Sequence, residues 1–207
     1  MAKEDIVVIH NFLTEDEVQA VLNYEKYLDE YSLWDHGDKV GDPLSQWSDR
    51  FLGAVNLRYE QKGFGKPSDL KMLDLLISIR KRIKEEIKKA YNLDNVYADS
   101  LNLIKWPHGY VQPAHSDYEN FGLEPHIYNW RQVGCVVYLN DDFDGGNIHF
   151  PQHGVSIPVK PGMLAFFPGD VHHAHGVERV LNGSRYTLSS FWTEHAEHAD
   201  NLYEEEH

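Results

Sequence analysis

Apolar residues recur with a helical period in two segments of the N-terminal half of the chain. The first segment follows Thr14 and Glu17, whose spacing is that of a capping box, so a helix is predicted to begin there. Its apolar stripe consists of Val18, Val21, Leu22 and Leu28. A second helix is predicted over residues 68–91, and its apolar face carries Met72, Leu76, Ile79, Ile83 and Ile87.

The pattern changes after residue 95 to short apolar or alternating segments separated by Gly, Pro and Asn-Asp turns. Strands are predicted over residues 100–106, 110–114, 133–140, 147–150, 155–159, 163–167 and 185–192, with a further strand over residues 5–9. Many short strands joined by such turns are typical of a jelly roll. We therefore predict a mainly β fold with flanking helices, in which a double-stranded β-helix (jelly roll) forms the core and both helices cover one sheet.

The length of the chain, 207 residues, is that of one compact domain. We predict a single domain over residues 1–207, in which residues 1–95 contribute a strand, helices and loops that pack on the core. Residues 96–193 form the jelly-roll core, and residues 194–207 form an acidic, solvated tail.

The charge of the chain narrows the classes of partner. Its formal net charge is −14 at pH 7, which would repel the phosphates of a nucleic acid and is compatible with basic peptides or proteins. The second helix nevertheless carries a basic run that we expect to be a solvated face: Arg80, Lys81, Arg82, Lys84, Lys88 and Lys89.

The location of the protein is predicted from what its sequence lacks. Cys135 is the only cysteine, so no internal disulfide can form and a reducing compartment is expected. The N-terminal residues have no apolar signal region, and no segment reaches the length of a membrane span. We expect a soluble cytoplasmic protein that does not associate with membranes.

A histidine and an aspartate two residues apart, His115 and Asp117, are the strongest chemical signal in the sequence. In an extended segment their side chains point to the same side and can reach one metal ion. A distant histidine would complete a 2-His-1-carboxylate set, which leaves positions open on Fe(II) and is typical of non-haem iron oxygenases. The candidates for the distant ligand are His172, His173 and His175.

The order of sequence blocks after His115 resembles a known family. A Tyr-Leu-Asn block at residues 138–140 is followed by Gly-Gly and Phe-Pro at residues 145–151, by Pro-Gly-Met-Leu at residues 161–164, and by His175 ten residues before Arg185. Over residues 104–192 the chain is similar to the prolyl 4-hydroxylase branch of the iron- and 2-oxoglutarate-dependent dioxygenases.

The resemblance implies roles for individual residues. It selects His175 as the third metal ligand, and it implies that Arg185 and Tyr138 bind the distal carboxylate of 2-oxoglutarate. An arginine fork suits a carboxylate well. Trp106 stands where the family has a tyrosine near the co-substrate, and its indole N–H is expected to serve there. Arg131 matches a position that faces the substrate.

The implied activity is the oxidative decarboxylation of 2-oxoglutarate coupled to C–H hydroxylation, with Fe(II), 2-oxoglutarate and O₂ required and ascorbate as a reductant. A peptidyl proline is the expected substrate, although Gln112 and Phe191 replace two aromatic residues of the family pattern. Alternatives are another residue or a small molecule as substrate, or a non-catalytic jelly-roll binding module. The loops at residues 31–65 and 119–130 are expected to cover the site.

Overall fold

The computed structural model describes residues 6–30, 50–53, 66–121 and 126–200. Two helices, α1 (Glu15–Glu30) and α2 (Pro67–Tyr91), lie at the positions predicted from the apolar stripes. The predicted capping box begins α1. The backbone N–H of Thr14 donates to the Glu17 carboxylate at 2.9 Å, and the N–H of Glu17 donates to the Thr14 hydroxyl at 3.2 Å.

Two antiparallel sheets form the core. The larger sheet has six strands in the order β1, β9, β5, β12, β3, β2, and the smaller has four in the order β4, β10, β7, β8. Strands β11 and β6 form a separate pair. In chain order the strands are β1 Val7–Ile9, β2 Arg50–Gly53, β3 Tyr97–Pro107, β4 Gln112–His115, β5 Val133–Tyr138, β6 Asp144–Gly145, β7 Ile148–Phe150, β8 Val155–Ile157, β9 Leu164–Pro168, β10 His175–Val177, β11 Val180–Asn182 and β12 Ser184–Thr193.

Both helices pack on the outer face of the larger sheet, as predicted. The apolar faces of α1 and α2 share one core cluster with the outward side chains of β3, β5, β9 and β12. A second apolar cluster lies between the two sheets and contains Phe150 and Phe167. Alternation along each central strand therefore places one set of side chains against the helices and the other set in the interior of the jelly roll.

The basic run on α2 is not solvated throughout. Arg80 is buried, with 5% of its surface exposed, and its guanidinium donates to the backbone oxygens of Ala98 and Asp200 at 3.0–3.1 Å. The prediction of a solvated basic face was wrong at this position, because the aliphatic part of Arg80 continues the apolar face while its head group satisfies two carbonyls. Lys81 and Lys89 are exposed, as expected.

Strands β10, β11 and β6 were not predicted. Each has only two or three residues, and β10 lies in a segment rich in histidine and glycine that carries no strand periodicity. In the part of the chain that the structure describes, no helix is long and apolar enough to cross a membrane.

Candidate active site

The jelly roll holds a cavity of about 360 Å³ between its two sheets. That volume is within the range of small-molecule sites. Its walls are largely apolar, and polar groups project into it from β3, β4, β10 and β12. The apolar lining includes Ile104, Val136, Ile148, Phe167 and Val177.

Strand pairing brings His115 and His175 together. The last residue of β4, His115, is the direct partner of His175, the first residue of β10, and the ring centroids lie 4.6 Å apart. Asp117 follows β4, and its backbone N–H donates to the Gly169 oxygen at 2.8 Å. The carboxylate oxygen Oδ1 of Asp117 is 3.7 Å from the Nε2 atom of each histidine. One potential ligand atom of each residue therefore lies within 4.8 Å of the others.

Both imidazoles are oriented by backbone carbonyls. The Nδ1 atom of His115 lies 3.1 Å from the Pro113 oxygen, and the Nδ1 atom of His175 lies 3.2 Å from the His173 oxygen. A carbonyl only accepts, so Nδ1 must carry the proton in both rings, and each Nε2 keeps a lone pair. The hydrogen bond from Nδ1 to a backbone carbonyl therefore fixes the tautomer of each ring, as it does in metal-binding histidines.

Burial disfavours charge on all three residues. It lowers the pKa of His115, and it lowers the pKa of His175 well below the usual value, with neighbouring His115 adding to the effect. Burial also raises the pKa of Asp117 to about 8, and the positive charge of Arg131 only partly offsets this. The second carboxylate oxygen of Asp117 is buried and has no hydrogen-bond partner among the described residues. Two neutral imidazoles and a buried carboxyl group with an unpaired oxygen are a set of ligands that fits a bound cation, whose charge would favour the ionised carboxylate.

Residue 134 must be glycine for this site to form. A Cβ atom there would overlap the Asp117 carboxylate and the Phe167 ring. The Gly at the start of the apolar strand β5 therefore makes room for the carboxylate inside the barrel.

Three buried donors lie together at the inner end of the cavity, where Trp106 and Arg185 line it and Tyr138 adjoins Arg185. The guanidinium carbon of Arg185 is 5.2 Å from the ring centroid of Trp106 and 5.2 Å from that of Tyr138. This grouping follows from the register of the sheet. Arg185 pairs with Trp106, and the next position on the same face of β12, Thr187, pairs with Tyr138.

None of the three donors is fully satisfied. The Nε atom of Arg185, the indole nitrogen of Trp106 and the hydroxyl of Tyr138 have no hydrogen bond of normal geometry among the described residues. Burial raises the pKa of Tyr138 and lowers that of Arg185, and each group partly offsets the shift of the other. Buried donors are rarely left unpaired in proteins. Their grouping fits the binding of an anion such as a carboxylate.

Arg131, the residue predicted to face the substrate, also lines the cavity. Its guanidinium carbon lies between two aromatic rings, 3.8 Å from the Tyr128 centroid and 4.0 Å from the Phe191 centroid. Phe191, which replaces a tryptophan of the family pattern, is therefore in contact with Arg131.

The other candidate histidines lie outside the cluster. His172 is exposed. His173 is buried and its Nδ1 atom contacts the Asp170 carboxylate at 2.7 Å. Its backbone oxygen, rather than its ring, contacts His175. The structure thus groups His175, and not these two residues, with His115 and Asp117.

Two polar cavity residues were not anticipated, and a third, Gln112, was noted only as a departure from the family pattern. Asn102 and Ser189, a register pair on β3 and β12, line the cavity with polar groups, and Gln112 has its amide nitrogen 3.3 Å from Nε2 of His115. Counting alternate positions back from Trp106 and onward from Arg185 would have found the first two residues. Of the two loops expected to cover the site, the one at residues 31–65 lies almost wholly outside the described residues. Ile127 and Tyr128 of the other line the cavity.

Comparison with known proteins agrees with this geometry. Residues 101–193 match the sequence profile of the 2OG-Fe(II) oxygenase superfamily. This segment therefore has the sequence pattern of a 2OG-Fe(II) oxygenase domain. Fe(II), 2-oxoglutarate and O₂ are used by this superfamily, which confirms the cofactors predicted from the sequence. The matched segment of the oxygenase domain includes the histidine–aspartate cluster and the buried donors at the inner end of the cavity.

Relatives by sequence are longer proteins. The 2-oxoglutarate and iron-dependent oxygenase domain-containing protein 3 of Xenopus tropicalis is 29% identical over 61% of this chain and 42% of its own length. Prolyl 3-hydroxylase 2 of Mus musculus is 33% identical over 76% of this chain and 25% of its own length. The chain therefore spans less than half the length of either relative.

Solved structures share the fold of the oxygenase domain. A viral collagen prolyl hydroxylase from Paramecium bursaria Chlorella virus-1 has a TM-score of 0.64 at 16% identity, covering 92% of this chain and 96% of that one. A prolyl hydroxylase from Trichoplax adhaerens, in complex with a hypoxia-inducible factor peptide, has a TM-score of 0.63 at 17% identity, covering 91% and 83%. These likenesses confirm the predicted double-stranded β-helix with flanking helices.

Proposed function

We propose that the chain hydroxylates a peptidyl proline, with Fe(II) bound by His115, Asp117 and His175. The observation that carries the metal assignment is the convergence on one buried carboxylate of two lone-pair nitrogens, whose rings are oriented by backbone carbonyls. When bound, Fe(II) and 2-oxoglutarate supply the activation of O₂ for hydroxylation of a C–H bond. The protein supplies position, charge and the exclusion of water.

Arg185 and Tyr138 are proposed to bind the distal carboxylate of 2-oxoglutarate, with the indole N–H of Trp106 as a further donor. All three are buried, and their free hydrogen-bonding groups would be satisfied by a carboxylate at the inner end of the cavity. Gly146 has a positive φ of 64° and lies against Phe143 and the Arg185 side chain. This close approach packs the arginine between the backbone of the glycine turn and the larger sheet.

The mouth of the cavity is suited to a chain with exposed carbonyl groups. Arg131 supplies a donor there, and Ile127 and Tyr128 beside it are respectively 75% and 38% exposed. Large apolar side chains exposed beside a polar anchor are common at peptide-binding sites. Prolyl hydroxylases among the relatives by sequence and fold support proline as the target residue. Ascorbate as reductant and a cytoplasmic location remain part of the proposal.

The proposal is tested by incubating the protein with Fe(II), 2-oxoglutarate, O₂ and a panel of proline-rich peptides. Succinate release that depends on a peptide, together with a gain of one oxygen on a proline in that peptide by mass spectrometry, is the expected result. Coupled hydroxylation of a free small molecule, with no peptide of the panel turned over, would contradict the substrate assignment and leave the oxygenase assignment intact.

A further inference from the structure

Asp99 occupies a break in the regular pairing of β3 with β12. Phe191 pairs with Ser100, but the next residue, Trp192, pairs with Ala98, so Asp99 has no partner of its own. Such a bulge changes the direction of the side chain that it carries. Regular alternation from Leu101, which packs against the helices, would place Asp99 on the helix side as well. The bulge instead brings it to the cavity residue Arg131.

The carboxylate of Asp99 is fully engaged. Its oxygen Oδ2 accepts from Nε of Arg131 at 2.7 Å and from the indole nitrogen of Trp130 at 3.2 Å, while Oδ1 accepts from the Ser100 hydroxyl at 2.8 Å. The side chain of Asp99 is 10% exposed and that of Arg131 is 20% exposed. Partial burial of this kind strengthens the pairing beyond that of a surface ion pair.

This contact uses only one edge of the guanidinium. The Nη groups of Arg131 have no hydrogen-bond partner in the described ranges, and the two faces are covered by Tyr128 and Phe191. A planar guanidinium held on both faces and at Nε has little freedom left, so its remaining donors are available to a ligand in one orientation.

The Trp130 ring packs against a residue of the segment that follows β12. It stacks on His198, with centroids 4.2 Å apart and planes inclined by 4°. His198 ends the short helical turn Ala196–His198, and two residues later the N–H of Asp200 donates to the Ala98 oxygen at 2.8 Å. The segment after β12 therefore returns to the bulge and supports the second donor of the Asp99 carboxylate.

We infer that Asp99 is a positioning residue that orients Arg131 toward the substrate. The inference rests on the proposed function, because it requires a substrate in the cavity mouth. Asp99 acts through Arg131, and Trp130 with His198 keeps the carboxylate in place. Loss of the carboxylate would release Nε of the arginine and allow the guanidinium to rotate within its aromatic sandwich.

The test compares Asp99→Asn with the wild-type protein, using a synthetic Pro-Pro-Gly repeat peptide as the probe. A hydrogen bond between charged groups is lost, so the KM for the peptide is expected to rise about tenfold. The KM for 2-oxoglutarate, which is bound elsewhere, is expected to change by less than about twofold. Asp141→Asn is the matched control, because it removes a carboxylate whose partner Lys160 lies on the exposed surface. That variant should leave both KM values unchanged.

Two further variants separate positioning from a general loss of structure. Asp99→Glu keeps the charge and should recover part of the peptide affinity. The KM for the peptide in Asp99→Asn combined with Arg131→Gln should be little higher than in Arg131→Gln alone, because the two changes remove the same interaction. Equal increases in both KM values, or additive effects in the double variant, would overturn the inference.

A measurement without substrate keeps the inference independent of the proposed function. Phenylglyoxal modifies accessible arginines, and mass spectrometry reports the modification of Arg131. Modification in Asp99→Asn is expected to be several times faster than in wild type or in Asp141→Asn. If no peptide of the panel is turned over by wild type, the substrate proposal fails and this measurement alone decides the role of Asp99. Unchanged modification of Arg131 would overturn it.

Discussion

At the scale of single residues, the proposed distant metal ligand is the histidine that begins β10. Pairing with β4 places His175 opposite His115, while His173 is turned toward Asp170 and His172 toward solvent. Three histidines within four positions could not be distinguished by charge or spacing alone. The resemblance to a family was needed to select among them.

Replacing His175 tests the metal assignment. His175→Ala removes one of three proposed ligands and should abolish stoichiometric binding of Fe(II), measured by metal analysis after anaerobic loading. His172→Ala changes an exposed neighbour and is the matched control. Retention of iron by His175→Ala together with its loss in His173→Ala would show that the assignment is wrong.

Replacing Arg185 tests the co-substrate site. Loss of one partner of a buried charged pair costs on the order of 2–5 kcal/mol, so Arg185→Ala should weaken 2-oxoglutarate binding by tens-fold or more. Binding is measured by calorimetry with Mn(II) in place of Fe(II), which avoids turnover. Arg179, which lies on the surface, provides the control Arg179→Ala. An unchanged affinity in Arg185→Ala would contradict the role proposed for this arginine.

At the scale of elements, α2 is attached to the core by apolar side chains and by one arginine. Helix periodicity predicted the apolar face correctly but could not identify Arg80 as buried, because a long basic side chain at the edge of such a face can point either way. The carbonyls that it satisfies belong to β3 and to residue 200, which are remote in sequence.

Arg80→Ala should therefore lower the free energy of unfolding by about 1–3 kcal/mol. The change leaves the Asp200 carbonyl without its buried donor and creates a space beside β3. Lys81→Ala on the exposed face of the same helix should change it by less than about 0.5 kcal/mol. Denaturation by urea measures both, and equal effects of the two substitutions would rule out a special role for Arg80.

Lys105 attaches α1 to the same sheet. Its ammonium group lies 2.8 Å from the Glu25 carboxylate and 2.5 Å from that of Asp29, and it is 5.4 Å from the ring centroid of Tyr186. Burial would lower the pKa of Lys105, but the contacts with Asp29, Glu25 and Tyr186 outweigh burial and raise it.

Because the pKa is raised in the folded state, this contribution to stability is complete below the pKa of an unfolded lysine, about 10.4. It is lost as pH rises through the higher folded value. The difference in unfolding free energy between wild type and Lys105→Met is therefore expected to be constant from pH 7 to about pH 10 and to decrease above that. A difference that instead grows with pH would contradict this account.

At the scale of the whole molecule, the positions of most strands and the layer of helices could be predicted because apolar periodicity and turn residues are local signals. The spacing of His115, Asp117 and Arg185 along the sequence likewise predicted where most of the candidate site would lie. The position of Asp99 could not be predicted, because a bulge depends on the partner strand and leaves no mark in the local sequence. The sequence shows Gln112 only as a departure from the family pattern, because its contact with His115 depends on the conformation of β4.

The formal net charge of −14 has a consequence for substrate choice. Peptides with lysine or arginine near the proline should be attracted to the protein, and acidic peptides should be repelled. The ratio of kcat/KM for a basic and an acidic version of one peptide should be large at low salt. It should fall toward one as the Debye length shrinks from about 10 Å at 0.1 M salt to about 3 Å at 1 M. A ratio that does not depend on salt would show that local contacts alone set the preference.

The bulge at Asp99 divides β3 into two parts, and odd-numbered side chains point to opposite faces of the sheet in the two parts. From residue 101 onward, odd positions face the helices and even positions face the cavity, whereas Ala98 packs with the helix side across the break. Deletion of residue 99 should therefore restore a regular ladder between β3 and β12. Without residue 99, Ala98 would directly precede Ser100 and would keep its place opposite Trp192 beneath the helices. The extra residue thus adds to the strand a carboxylate that contacts Trp130 and Arg131, while the apolar side chains on both sides of it keep their places.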